Sequence, residues 1–421
     1  MVHRYALSPI PYCYSPVLLG RIILLVSFIS RILPADILKM TEIISTELPN
    51  EPTFDQLLRV SRQINHIIIH DPKHEVDADY AQLLTDLLRM RGSLYEVLPK
   101  SLFDEHDILR EENPYILILA PGGYEFIVAA FAILSIGGAL VPLGECLQNS
   151  FRGLNSLTND SGSEATGILA EEALQLLTRC NSAILLAGRD HLQHAMEVQE
   201  YAATRGLYVT VLQIQINASP VIDPHTPSLK IGLETKIAPH RPGLLLFTSG
   251  TSGPPKGVVH TRNFFKNTQP NSFPSDVVLS NRPPHWMTGL ASLIKHPLRG
   301  ARLEITCQDP AVIWERLRAG GVTILRGTPR FWTLMMRYYQ DHISCLPFEE
   351  LNTYIQGAQA LRVASVGAST PHSSLLRFWR EILGQTFKVS YGSTELGGLG
   401  TCTTNETDIN LEVCKSTELF L

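Results

Sequence analysis

Short apolar runs alternate with helical patterns along most of this chain. Residues 115–120 form an apolar run typical of a buried strand, and Pro121-Gly122-Gly123 is typical of a turn. Residues 126–135 carry apolar side chains at three- and four-residue spacing, which predicts an amphipathic helix. Residues 139–143 then return as a second strand. A strand, a helix and a strand in this order predict a crossover between parallel strands.

The same alternation continues to the end of the chain. Further strands are predicted at residues 183–186, 208–214, 244–247, 302–306, 322–326, 362–366 and 387–390. Helical patterns cover residues 51–98, 171–180, 311–319, 330–339 and 373–383. Residues 149–167 are rich in Ser, Gly, Asn and Thr and predict a flexible insertion, and residues 220–242 predict a polar connector. We therefore predict an α/β fold of two subdomains, each with a mostly parallel sheet covered by helices.

The amino-acid composition limits which classes of protein and which partners are expected. The 421 residues are 44% hydrophobic and 18% charged, which is typical of a globular protein of more than one subdomain. A net charge of -5 gives no reason to expect nucleic acid or an anionic membrane as a partner. The seven cysteines include no Cys-x-x-Cys pair, so a reducing compartment, the cytoplasm, is expected.

The first 39 residues differ from the rest, because Arg4, Arg21 and Arg31 precede the first acidic residue, Asp36. Their apolar run is too short to cross a bilayer, which needs about 20 residues. Three readings stay open: a targeting segment for a mitochondrion or another organelle, a membrane-surface anchor, or a start codon placed too early. We favour the third reading, because Met40 precedes a more polar start.

The strongest chemical signal is a glycine-rich segment that follows the apolar strand at residues 244–247. It comprises Thr248, Ser249, Gly250, Thr251, Ser252, Gly253, Pro254, Pro255, Lys256 and Gly257. Glycines let the backbone approach an anion, hydroxyls donate to phosphate oxygens, and a lysine supplies a positive charge. A Walker A loop requires Ser or Thr after its lysine, whereas Gly257 follows Lys256. The segment therefore predicts a phosphate-binding loop of another kind.

This segment resembles the phosphate loop of the AMP-forming adenylate enzymes, which include acyl-CoA synthetases, firefly luciferase and peptide-synthetase adenylation domains. A second segment, Tyr391, Gly392, Ser393, Thr394 and Glu395, resembles the second signature of that family. The resemblance implies ATP and Mg2+ as cofactors. It implies that Tyr391 packs on adenine, that Thr394 contacts the α-phosphate, and that Glu395 and Thr251 hold the metal. Thr248–Gly253 and Lys256 would hold the β- and γ-phosphates, with Thr248, Lys256 and Glu395 as catalytic residues.

Weaker resemblances concern the adenine pocket and the acid. Gly367, Ala368 and Ser369 resemble the segment that lines the adenine pocket, although a plain turn after a strand is the alternative. His285 resembles the histidine at the gate of the acyl pocket and joins the candidate catalytic residues, with an ordinary polar histidine as the alternative. Arg326 or Arg330 is a candidate partner for a substrate carboxylate, with a surface role as the alternative.

The resemblance covers residues from about 50 to 421, the predicted AMP-binding core being residues 40–421. It implies an acyl-CoA ligase, nearest to the malonyl-CoA synthetase branch, that activates a carboxylic acid as acyl-AMP and transfers it to coenzyme A. A specialised biosynthetic pathway would suit such a ligase. The family's C-terminal lid domain, with its catalytic lysine, is expected to be absent. Two alternatives therefore remain: an adenylation unit that loads a carrier protein, and a truncated nucleotide-binding remnant. A partner chain that supplies the lid would restore full activity.

Overall fold

Three sheets and the helices packed on them make up the described part of the chain in this computed structural model. That part comprises residues 47–112, 114–144, 169–217, 229–248, 256–266, 272–384, 387–403 and 411–413, all within the unit Thr46–Leu421. The strands are β1 Glu47–Asn50, β2 Ile69–Asp71, β3 Val76–Ala78, β4 Tyr115–Leu119, β5 Ala139–Pro142, β6 Ile184–Ala187, β7 Thr210–Gln213, β8 Lys230–Lys236, β9 Pro242–Thr248, β10 Lys256–Thr261, β11 Val277–Ser280, β12 Arg302–Ile305, β13 Ile324–Gly327, β14 Val363–Val366, β15 Lys388–Ser393, β16 Gly398–Thr403 and β17 Leu411–Val413. The α-helices are α1 Pro52–Ser61, α2 Tyr80–Val97, α3 Tyr124–Ser135, α4 Ala170–Arg179, α5 Leu192–Ala203, α6 Asn263–Lys266, α7 Met287–Lys295, α8 Pro310–Arg318, α9 Pro329–Tyr338, α10 Phe348–Gln359 and α11 Ser373–Leu383.

The smaller of the two large sheets has the strand order β10-β9-β5-β4-β6-β7. Neighbouring strands from β9 to β7 run parallel, and only β10 is antiparallel to its neighbour. The predicted crossover is confirmed, since β4 and β5 pair in parallel and α3 connects them. The carboxyl ends of β9 and β5 therefore lie at the same edge of this sheet.

The larger sheet has the order β17-β16-β15-β14-β13-β11-β12-β2-β3. Its strands from β15 to β2 are parallel, and antiparallel pairs stand at both ends. Four consecutive neighbours, β15, β14, β13 and β11, thus present their carboxyl ends at one edge. The predicted α/β architecture, with mostly parallel sheets covered by helices, is confirmed.

The helix α3 is buried on every side and is not amphipathic as the spacing suggested. It contacts α2 and strands of both large sheets, β2 and β4, so no face remains for solvent. Its sequence is almost entirely apolar, and the polar residues near its two ends, Glu125 and Ser135, are buried as well, so three- and four-residue spacing could not distinguish this buried helix from a half-exposed one. The Asp71 carboxylate accepts a hydrogen bond of 2.8 Å from the Tyr124 backbone N–H at its first turn.

Aromatic side chains form a separate core on the other face of the larger sheet. The rings of Trp314 and Trp379 stack at 5.6 Å, and Trp332 meets Trp379 edge-on at 4.8 Å. These tryptophans come from α8, α9 and α11, and all three are fully buried. Because the rings fill the space beneath three helices, they fix the end of β13 from which α9 begins.

Several sequence expectations need correction. The helical pattern at residues 51–98 is two helices, α1 and α2, separated by the hairpin of β2 and β3. The predicted connector at 220–242 contains β8, which pairs in parallel with β1. Most of its residues are exposed or half-buried, and lysine, glycine and threonine interrupt its apolar pattern, so no clear strand signal was present.

Two predictions fall outside the described residues. The insertion at 149–167 and the extension at 1–39 lie there, so both stay predictions, as does the boundary between residues 39 and 40. In the described part of the chain, no helix is both long and apolar enough to cross a membrane.

Candidate functional site

The predicted phosphate loop connects two antiparallel strands. Thr248 is the last residue of β9, Lys256 is the first residue of β10, and the two are paired across the hairpin. The Thr248 hydroxyl donates to the Lys256 carbonyl oxygen at 3.4 Å. The residues between them, which include Ser249, Gly250, Thr251, Ser252 and Gly253, lie outside the described residues, so their predicted roles stay predictions.

The second predicted segment forms a turn at the edge strand β15. Tyr391, Gly392 and Ser393 end this strand, and the Ser393 hydroxyl accepts a hydrogen bond of 3.3 Å from the Leu396 backbone N–H. The turn closes where the Gly397 N–H donates to the Thr394 carbonyl oxygen at 3.0 Å, with Gly397 in the left-handed region at φ 70°. The Tyr391 side chain is 60% exposed, so a flat aromatic face is open to a ligand.

A single histidine joins these two segments. The Nε2 of His260, on β10, donates to the carbonyl oxygen of Thr394 at 2.7 Å. Burial lowers the pKa of His260, so the ring is neutral and its Nε2 carries the proton that this bond requires. The strand that begins at Lys256 is therefore tied to the turn that carries Thr394 and Glu395.

The carboxyl group of Glu395 is exposed and anionic. Its pKa is lowered by a hydrogen bond from its own backbone N–H, then by the Ser393 hydroxyl, and further by the positive charge of Lys256. Carboxylate oxygens are ligands that Mg2+ prefers, so this residue fits the predicted metal role. Among the described residues, no three His, Cys, Asp or Glu side chains group as a metal site. One protein carboxylate with phosphate oxygens would suit Mg2+, which is seldom held by protein groups alone.

The third predicted segment lies beside the second. Gly367, Ala368 and Ser369 follow β14, which pairs with β15 through Val366 and Val389. A Cβ on Gly367 would come within 2.7 Å of the Ser390 hydroxyl, so only glycine allows the strands this approach. Ala368 has φ 74°, a strained value for a residue with a side chain. The structure thus brings the 367–369 turn next to Tyr391.

His285 lies where the two large sheets approach each other. It follows β11, and a Cβ on Gly144, just beyond β5, would overlap its imidazole ring. Burial lowers the pKa of His285 to about 4, so the ring is neutral at ordinary pH. Its neighbour Trp286 is 51% exposed. A neutral, packed imidazole beside an exposed indole is compatible with the wall of a binding cleft.

A family comparison decides what this arrangement is. The model of the family described as AMP-binding enzyme matches residues 101–417, which is most of the chain. The chain belongs to the AMP-binding enzyme family. Its α/β sheets with their helices match this family's fold.

Curated relatives agree with this assignment. The chain is 30% identical over 361 residues to a protein named acyl-CoA ligase oryP from Aspergillus oryzae, covering 83% of this chain and 58% of that protein. It is 25% identical over 295 residues to malonate–CoA ligase ACSF3 from Xenopus laevis, covering 67% of this chain and 46% of that protein. The chain thus spans about half the length of the curated relatives it matches.

Solved structures share the fold. MatB of Rhodopseudomonas palustris superposes with a TM-score of 0.59 at 18% identity, covering 85% of this chain and 62% of that one. The McyG A-PCP structure, complexed with phenylalanyl-adenylate, gives a TM-score of 0.62 at 17% identity, covering 85% of this chain and 53% of that one. At these identities the likeness concerns the fold alone.

The two candidate arginines of this AMP-binding enzyme differ in position. Arg330 lies in the first turn of α9 and is exposed, as the surface reading expects. Arg326 lies within β13, and desolvation is the largest cause that lowers its pKa, followed by the charge of Arg282. Arg326 is nevertheless exposed like Arg330, so both roles expected for it stay predictions.

The sequence did not point to two residues next to the site. His260 gave no signal, because a histidine in a strand is ordinary and its partner is distant in sequence. Lys295 places its Nζ 3.9 Å from the ring centroid of Phe264, and burial lowers its pKa to about 8. Its charge also contributes to the lowered pKa of His260, so the two basic groups are close neighbours behind the hairpin.

Proposed function

We propose that this chain activates a carboxylic acid with ATP, forming acyl-AMP and pyrophosphate, and then transfers the acyl group to coenzyme A. The observation that carries the proposal is the 2.7 Å bond from His260 to Thr394, which ties the strand of the phosphate loop to the turn of Thr394 and Glu395. Two segments with phosphate-binding and metal-binding residue types are thereby held together. The names of the relatives, acyl-CoA ligase and malonate–CoA ligase, support the same chemistry.

In the first step a carboxylate oxygen of the acid attacks the α-phosphorus of ATP. The bond from that phosphorus to the bridging oxygen breaks, and pyrophosphate leaves with the electron pair. Lys256 would neutralise charge on the β- and γ-phosphates, and the Thr394 hydroxyl would donate to the α-phosphate. Glu395, with Thr251 in the loop, would hold Mg2+, which supplies further charge neutralisation when bound.

The nucleotide base has a separate place in this proposal. The exposed ring of Tyr391 would stack on adenine, and the 367–369 turn would border the base from the neighbouring strand. In the second step the coenzyme A sulfur attacks the acyl carbonyl, and AMP leaves. Because no protein nucleophile takes part, the chain acts by alignment and charge stabilisation.

Acid-dependent exchange of labelled pyrophosphate into ATP tests the first step on the purified chain. A panel of short, dicarboxylic, aromatic and long-chain acids should show exchange with one class. Lys256→Ala should lower that exchange by about 100-fold, since a charge that stabilises the leaving group is lost. Lys266→Ala, which removes an exposed cation from α6, is the matched control and should exchange normally. Exchange that is absent for every acid, or equal in Lys256→Ala, would contradict the proposal.

A further inference from the structure

A cavity of about 340 Å³ lies at the carboxyl ends of β6 and β7. Two of its lining residues are cationic, Arg89 of α2 and Arg189, which follows β6, and residues 213–217 complete its wall. In the sheet order β9-β5-β4-β6-β7, four strand spacings of about 4.8 Å separate β7 from β9, the strand that leads into the predicted phosphate loop. The cavity is therefore separate from that loop.

The orientation of Arg89 is set by a buried carboxylate. The Arg89 Nη1 donates to the Asp86 Oδ1 at 3.0 Å, and the Asp86 side chain is fully buried. Asp86 also accepts hydrogen bonds from the Tyr124 hydroxyl at 2.9 Å and from the Asn217 backbone N–H at 3.2 Å. The other guanidinium nitrogens of Arg89 have no partner among the described residues, and its side chain is 37% exposed. Arg89 is therefore an ordered cation with donors left for a ligand.

Arg189 supplies a second cation to the cavity. Its backbone N–H donates to the Glu125 carboxylate at 3.0 Å, which fixes the turn after β6 against the first turn of α3. Its guanidinium has no hydrogen bond or ion pair with any residue that the structure describes, and Arg189 is exposed. The adjacent carboxylate of Asp190 pairs with Lys73 at 2.8 Å, so it is already engaged. The cavity thus carries one partly neutralised guanidinium and one whose charge is not matched within the described residues.

We propose that this cavity binds a phosphate group, carried by a small phosphorylated metabolite or present as the inorganic ion. A guanidinium binds two phosphate oxygens through parallel hydrogen bonds, and a second guanidinium can reach a third oxygen. A carboxylate offers only two oxygens and one charge, so it would use this pair of cations less fully. The volume is within the range of small-molecule sites, about 300–1,000 Å³, and leaves room for an organic group beside Ile214 and Ile216. The assignment does not depend on adenylation, because the cavity lies apart from the predicted phosphate loop.

Thermal unfolding tests whether the guanidinium of Arg189 is reserved for a ligand. In phosphate-free buffer Arg189→Met should melt at the same temperature as the unaltered chain, since this guanidinium contacts no described protein group. A bound phosphate would bridge α2 and the turn after β6, so it should raise the melting temperature of the unaltered chain and not that of Arg189→Met. A lower melting temperature of Arg189→Met without phosphate, or equal stabilisation of both chains by phosphate, would overturn the inference.

Calorimetric titration with inorganic phosphate and with glycerol 3-phosphate measures the affinity of the site. Compared with the unaltered chain, Arg189→Met should raise both dissociation constants by about 10-fold or more, because charge-assisted hydrogen bonds are lost. Arg189→Lys should keep part of the affinity, since a lysine retains the charge without the paired donors. Arg205→Met, which removes the exposed arginine after α5, is the matched control and should leave both constants unchanged.

The outcomes of the titration separate the possible ligands. Tighter binding of glycerol 3-phosphate supports a phosphorylated metabolite, and equal or tighter binding of inorganic phosphate supports the free ion. Equal dissociation constants in the unaltered chain and in Arg189→Met would overturn the inference. Loss of binding in Lys256→Ala would also overturn it, because the phosphate would then belong to the predicted loop. Displacement of phosphate by coenzyme A would overturn it too, because the cavity would then hold a substrate of the proposed reaction.

Discussion

At the residue scale, burial changes the proton equilibria of the side chains around the cleft. His285, Lys295 and His296 all have lowered pKa values, and in each case desolvation is the first cause. The pKa of Glu395 is also lowered, but for a different reason. Its carboxylate is exposed, and hydrogen bonds from its own backbone N–H and from Ser393 stabilise the charged form. The candidate site therefore combines the neutral imidazole of His285 with the anionic carboxylate of Glu395.

Desolvation of the half-buried His285 imidazole makes stability depend on pH. Its pKa is about 4 in the folded chain and 6.5 in the unfolded chain, so the unfolded chain binds more protons between these values. Stability should fall as the pH drops from 7 to 5, with His285 contributing about 1–2 kcal/mol of the loss. Urea unfolding at both pH values, on the unaltered chain and on His285→Gln, measures this.

His194→Gln, which removes an imidazole whose ring lies near the surface, is the control for that comparison. It should leave the pH dependence of the unfolding free energy as it is in the unaltered chain. An equal loss between pH 7 and pH 5 in the unaltered chain and in His285→Gln would contradict the burial of this imidazole.

Candidate site residues were predicted where a motif carried them, and their roles stay predictions. The segments at 248–257 and 391–395 combine glycines, hydroxyls and charges in an order that few other structures require. His260 could not be predicted in this way, because its contact is with Thr394, which only the fold brings near. A residue whose role rests on a distant contact leaves no local pattern.

At the element scale, a buried ion pair holds the base of the phosphate-loop hairpin. Arg262 directly follows β10, and its Nε donates to the Glu51 carboxylate at 2.8 Å. The same guanidinium donates to the carbonyl oxygens of Gly138 and Leu134, at the end of α3 and before β5. Through four hydrogen bonds, Arg262 fixes the hairpin against the crossover of the smaller sheet.

Removing Arg262 should therefore destabilise the chain. Arg262→Leu leaves the Glu51 carboxylate buried and unpaired, and we expect the free energy of unfolding to fall by about 3–5 kcal/mol in chemical denaturation. Arg59→Leu, which removes the arginine of an exposed pair with Asp55, should change it by less than about 1 kcal/mol. Equal effects of the two substitutions would contradict a structural role for the buried pair.

Elements were predictable from the sequence when their apolar pattern was unambiguous. The strand at residues 115–119, the helix at 373–383 and the crossover between β4 and β5 follow from local periodicity. The environment of α3 did not, since a helix that is apolar on nearly every face gives no sign of which neighbours cover it. The strands β8 and β10 were not predicted, because polar residues and glycine interrupt their apolar runs.

At the scale of the whole molecule, the site follows from the parallel order of the sheets. Neighbouring strands β11, β13, β14 and β15 all end at one edge, and each is followed by a site segment: His285, the 326–330 stretch, the 367–369 turn and the Thr394 turn. Strand order is set by long-range packing, so the sequence alone indicated a cleft at strand ends without specifying which segments would be neighbours.

Transfer of an isotope from the acid to AMP tests the central claim most directly. The acid is labelled with 18O in both carboxylate oxygens and incubated with ATP, Mg2+ and the purified chain, with hydroxylamine as the acyl acceptor. If the carboxylate attacks the α-phosphorus, cleavage of the acyl C–O bond leaves one 18O in AMP, which mass spectrometry detects. Unlabelled AMP, or label found in inorganic phosphate with ADP as the product, would contradict adenylation by this chain.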